Sequence, residues 1–165
     1  MVEQHRLRKT PMQNQDNPDA LAWHKRFAVQ TNNRAWDLTT VVRTPDQDRE
    51  MLDAAHASAW HWAVIGTELN RMRATMLLAE VHALLGQGAS SFQFAQEMHA
   101  YFLANDTPDW EVAFAHAIYA HAACIAGASA IHRRAYESAK VAIQAIASEE
   151  DRAIVMKTFV QIPQP

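Results

Sequence analysis

The sequence predicts an all-α protein of stacked antiparallel helix hairpins, and three observations carry that prediction. The chain holds only four glycines, Gly66, Gly86, Gly88 and Gly127, and each falls where an alanine-rich apolar stretch stops. Glycine is costly inside a helix and favoured just past its end, so these positions read as punctuation between helices. Asn17-Pro18, Thr44-Pro45 and Thr107-Pro108 each place a capping residue before a proline, the signature of a helix start. No stretch alternates polar with β-branched residues, so no sheet is expected.

Taken in order, the first helix opens at Pro18 and runs to about Val42, with Trp23, Phe27, Ala35 and Leu38 on its packing side. The second runs from Pro45 to Ile65, and its Trp60 and Trp62 point in different directions, which predicts an enclosed helix with one indole on a pocket or a subunit contact. A third begins at Thr67 or a neighbour and ends at Leu85; a fourth spans about Ala89 to Ala104. Thr107-Pro108-Asp109 gives the clearest start signal, a threonine cap followed by proline and an acid, for a fifth helix ending at Gly127. This helix is apolar all round, with Trp110, Phe114, Ile118, His121 and Ile125 on one face and Ala113, Ala120 and Ala123 on another, so it packs on both sides. The sixth, about Ser129 to Ala147, has one apolar stripe (Ile131, Ala135, Ala139, Ala142, Ile146) against Arg133, Glu137, Lys140 and Gln144, and belongs on the outside of a stack. Ser148 with three acids behind it caps a short last helix.

At 165 residues the chain is expected to be a flexible polar arm, 1–17, followed by one helical domain, 18–165. A net charge of −3 gives no basic face for nucleic acid, and the short run His5-Arg6-Leu7-Arg8-Lys9 in the arm reads as solvated. Histidines interrupt the longest alanine-rich stretch, Val112 to Ala130, so no membrane span is expected. No secretion signal follows the basic run, and a cytoplasmic protein is expected. The single cysteine, Cys124, reads as a small buried hydrophobe, which argues against pairing it with His121 as a nucleophile.

Nine histidines invite a search for a metal site. Ligands on one helix share a face when they are three, four or seven residues apart. His56/His61 and His116/His121 are five apart, about 140° around a helix, so neither pair grips one ion alone. A site assembled between helices from His56, His116 and His121 is the alternative expectation, a pocket for a divalent metal or small ligand in an enzyme or sensor. The other polar set is Asn70, Arg73 and Glu80, which share a face of the third helix with Leu77 between them. Without a partner these are a solvated face with a weak Arg73–Glu80 association. With one they are a clamp for its backbone or carboxylate, because asparagine and arginine present forked donors.

Leu78-Ala79-x-x-His82-x-x-x-Gly86 and Tyr119-Ala120-x-x-Ala123-x-x-x-Gly127 resemble the end of the first helix in a tetratricopeptide repeat. Ser91, Tyr136 and Ala139 match small and aromatic positions of the second helix, whereas His132 and Met98 stand where that family has small residues. The resemblance covers about residues 69–147. It implies a superhelix of hairpins whose first helices line a groove that holds a partner's peptide. The expectation for function is therefore a non-enzymatic binding or assembly module, without a cofactor, that takes a protein or peptide partner or a second copy of itself in a groove at Asn70, Arg73, Leu77 and Glu80.

Overall fold

A computed structural model describes residues 18–165. The expected arm, its basic run and the Asn17 cap lie outside the described residues. Seven helices follow one another: α1 Pro18–Thr39, α2 Pro45–Ile65, α3 Glu68–Leu84, α4 Gly88–Ala104, α5 Asp109–Ile125, α6 Ser129–Ala145 and α7 Glu149–Phe159. Among the described residues there is no strand, and no helix is long and apolar enough to cross a membrane.

Local chemistry sets most of these boundaries. Thr44 and Thr67 each accept a hydrogen bond from the backbone N–H three residues on, and the Gln47 and Asn70 side chains return the bond to the cap backbone. These reciprocal boxes satisfy donors that a helix start leaves unpaired. At the other ends of α3 and α5, Gly86 and Gly127 adopt φ of 70° and 75°, the left-handed region that favours glycine. Gln87 N donates to His82 O and Gly86 N to Ala83 O; Ala128 N donates to Ala123 O and Gly127 N to Cys124 O. Both sets form the paired closing bonds of a glycine-terminated helix.

The other two glycines stand at helix ends for a different reason. A Cβ on Gly66 would lie 2.6 Å from Trp62 O, and one on Gly88 would lie 2.7 Å from Ile125 O, where the start of α4 meets the end of α5. Thr107 does not cap α5 as the sequence suggests. Pro108 is extended at φ −50°, ψ 145°, the helix begins at Asp109, and the Thr107 hydroxyl is buried without a partner. Asp109 instead accepts from Trp110 N and reaches across to Ala147 N, tying the α6–α7 turn to α5.

Consecutive helices pair as hairpins, α1 with α2, α3 with α4 and α5 with α6. α1 touches α3, α3 touches α5, and α7 packs on α5, so the first helices form a continuous inner row. Burial follows that order. Every residue from Met76 to Ala83 in α3 is buried, and α5 is buried on all sides. α6 buries one stripe containing Ala135, Ala139 and Ile143. The expectation of an enclosed α2 is corrected: it buries only Met51, Ala55 and Ser58, because it is the outer helix of the terminal hairpin. Trp23 and Phe27 also lie on the exposed side of α1, whose buried residues are Ala28, Ala35, Leu38 and Thr39. One core runs from α3 through α7 and a second joins α1, α2 and α3, with Trp36 and Phe94 packed against both.

Candidate functional site: the cleft on the inner row

The inner row encloses a cleft of about 570 Å³, with walls from α1, α3, α5 and α7 and one residue, Trp62, from α2. Asn70 enters it from the first turn of α3. Its Oδ1 accepts from Thr67 N at 3.1 Å and from Thr67 Oγ1 at 2.9 Å, so the capping box fixes the amide plane. The Asn70 Nδ2 makes no hydrogen bond among the described residues, and Asn70 is one of the residues lining the cleft.

One turn on, Arg73 Nε donates to Glu111 Oε1 of α5 at 2.5 Å. The Glu111 side chain is 1% exposed and that of Arg73 is 43% exposed, so a sealed carboxylate holds a half-open guanidinium in place. Among the described residues the two Nη groups of Arg73 make no hydrogen bond, and the buried Glu111 Oε2 has no partner. Trp36, Trp62 and Trp110 line the same cleft, with Phe114 beneath, its ring centroid 5.6 Å from Trp36 and 6.2 Å from Trp110. Asp37 of α1 and Lys157 of α7 lie on its walls. Such a surface offers forked hydrogen-bond donors beside aromatic rings.

Of the four groove residues expected from the sequence, the structure brings two to the cleft. Leu77 is fully buried in the core shared by α1, α2 and α3. Glu80 is also fully buried, and His121 Nδ1 of α5 donates to its Oε2 at 3.0 Å. The expected Arg73–Glu80 association is therefore replaced by two separate bridges, Arg73–Glu111 and His121–Glu80. The helical spacing was correct; further along α3, the neighbouring helices cover the shared face.

His56, His116 and His121 do not come together. His56 faces His82, with ring centroids 5.4 Å apart, His116 Nδ1 lies 3.0 Å from His99 Nε2, and His121 is held by Glu80. A further pair, His24 and His61, meets at 2.9 Å between α1 and α2. Among the described residues no group of three histidine, cysteine, aspartate or glutamate side chains could hold a metal ion. Cys124 is half-buried and free rather than sealed.

Protonation differs from pair to pair. Burial pushes His99 down to about 4, helped by the neighbouring His116 charge, and burial also lowers His116. His61 is lowered by burial and then by His24, and His82 by burial against the opposing bond to Gln87. His121 goes the other way: burial opposes its charge, but the Glu80 charge and hydrogen bond override that and raise it.

The sequence reasoning missed Glu111, Trp36, Trp62 and Trp110 as one constellation. Glu111 was not singled out from the sequence, because its pairing with Arg73 spans elements that no local spacing connects. The chain matches no known family model, no curated protein and no solved structure.

Proposed function

We propose that this chain is a non-enzymatic, tetratricopeptide-like binding module of the cytoplasm that holds a segment of a partner protein in the cleft of its inner row. The observation that supports this most is the Arg73–Glu111 bridge: a buried carboxylate orients a guanidinium whose remaining donors face a cleft walled by three tryptophans. Pre-orientation lowers the entropy cost of binding, and Arg and Trp are the residue types that dominate interface energetics. At about 570 Å³ the cleft lies within the range of specific ligand sites.

The test is partner capture by an untagged-surface crosslinking experiment in cells, comparing the wild type with Asn70→Asp. That change keeps the oxygen that Thr67 needs while removing the donor and adding a negative charge at the cleft. A partner captured by the wild type and lost from the variant, at an unchanged melting temperature, is the expected result. Equal capture by both proteins overturns the proposal.

A further inference from the structure

We propose that the segment held in the cleft is an uncharged, aromatic-bearing stretch of peptide, with its ring seated between Trp36 and Trp110 on Phe114 and its flanking backbone carbonyls accepting from Arg73 and Asn70. The inference rests on the reading of the cleft as a peptide site and adds the chemistry of the occupant. Phe114 is 5% exposed and forms a floor. Trp36 of α1 and Trp110 of α5 stand against it at 5.6 Å and 6.2 Å between centroids, tilted from its plane by 59° and 83°. Both indoles are half-buried, and among the described residues they make no ring contact with each other. The gap between them is no wider than their two contacts with Phe114 laid end to end. One further ring, at about 4.5–6 Å from each indole, fills such a gap. The exposed rings of Trp23, Phe27 and Trp60 also offer aromatic surface, but they are not part of this cleft.

The groups beside the ring box are donors that lack acceptors: the two Nη groups of Arg73, and Asn70 Nδ2. Arg73 is tethered to Glu111, the residue that follows Trp110. A Cβ on Gly66 would lie 3.2 Å from Trp62 Cε3 and 3.0 Å from Asn70 Cβ, so the Asn70 amide stands beside a third indole. A ligand carboxylate accepts from such donors, but charge argues against it. Glu111 already neutralises Arg73, and its Oε2 is buried without a partner, so a second anion at Arg73 meets a like charge away from water. A cation over the indoles meets the Arg73 charge instead. The charged side chains lining the cleft are balanced, Asp37 and Glu111 against Arg73 and Lys157. Backbone carbonyls satisfy the open donors without adding charge.

The experiment titrates blocked Gly-Ser-X-Ser-Gly peptides, with X as tryptophan, leucine, lysine or glutamate, into isotope-labelled full-length protein, following indole and side-chain amide signals by NMR. The tryptophan peptide is expected to shift Trp36, Trp110 and Asn70 first and to bind at least about tenfold more tightly than the other three. Trp110→Leu is expected to remove that preference. Glu111→Gln is expected to raise the affinity for the glutamate peptide relative to the tryptophan peptide, a change of selectivity that a purely structural role does not produce. Because the shifts are read in the wild type, poor folding of a variant leaves the test intact. Equal or tighter binding of the leucine, lysine or glutamate peptide in the cleft overturns the inference and leaves the peptide-site reading standing. First shifts at Trp23 or Trp60, or no peptide reaching the cleft, also overturn it, and capture in cells then decides the peptide-site reading on its own.

Discussion

Two bridges join the same pair of helices and behave in opposite ways. Near the start of α3, Arg73 reaches Glu111 of α5; two turns later, Glu80 of α3 accepts from His121 of α5. In the first the carboxylate is sealed and the cation is 43% exposed, whereas in the second both side chains are 5% exposed or less. The sealed bridge presents no group to the cleft: His121 satisfies Glu80 Oε2, and Glu80 Oε1 stays buried without a partner. The half-open one leaves donors facing the cleft. Position along one helix contact thus decides whether a charged pair is sealed in the core or half-open, and the proposed recognition rests on the half-open one.

The largest expected effect breaks the sealed pair. Glu80→Ala leaves His121 buried beside an empty space, and removing one member of a buried pair costs about 3–5 kcal/mol. Urea denaturation measures this directly, and a loss under about 1 kcal/mol contradicts the sealed description. Arg73→Ala is expected to cost less, about 1–3 kcal/mol, because solvent already screens the guanidinium while Glu111 loses its partner. A Arg73→Met/Glu111→Leu double variant is expected to recover most of that loss while still failing to capture a partner. Such a result separates the stability role of the half-open bridge from its binding role.

The histidines supply a contrast in sign. The folded-state affinity of His121 for its proton is raised, so its contribution is fully present below about pH 6.5, the ordinary value, and fades as pH rises through the higher folded value. His99 is lowered to about 4, so the unfolded chain takes up its proton first and stability declines as pH falls from about 6.5 toward that value. Stability measured by urea midpoint from acid to alkaline pH is expected to fall on both sides of neutrality. His99→Gln flattens the acid limb and Glu80→Gln the alkaline one. The smallest effect on folding is expected for Asn70→Asp, within about 0.5 kcal/mol of the wild type, because the cap retains its acceptor. A large thermal shift for that variant would place Asn70 in the stability class and remove it from the recognition surface.

Helix positions were largely legible in the sequence because their signals are local. Thr44, Thr67 and Ser148 cap as their neighbours dictate, and Gly86 and Gly127 close α3 and α5 by bonds within six residues. The alanine-rich fifth helix was rightly read as enclosed. The site was legible only in part. Asn70 and Arg73 could be found from their spacing on α3, but the same spacing placed Leu77 and Glu80 with them, since periodicity identifies a face and not how much of its length a neighbour covers. Burial of α2 was overestimated for a related reason: alanine tolerates both close packing and solvent, so an alanine-rich helix does not reveal whether it is central or at an end. Pairings such as Arg73–Glu111 and His99–His116 depend on how hairpins stack, which no short window records.

Both faces of the α3–α4 hairpin have a neighbouring hairpin, whereas α1–α2 packs mainly on α3, reaches α5 through the Trp36–Phe114 contact, and leaves Trp23, Phe27 and Trp60 substantially exposed. In a nearly one-dimensional stack each unit draws stability from its neighbours, so the end unit opens most readily. That end unit also carries Trp36, one wall of the cleft. The wall is therefore a jaw with its own opening equilibrium, and the amides of α1 and α2 exchange with solvent ahead of those of α3 and α5. A ligand seated against Trp36 slows that exchange from a distance, through the closing of a hairpin it touches on one side only.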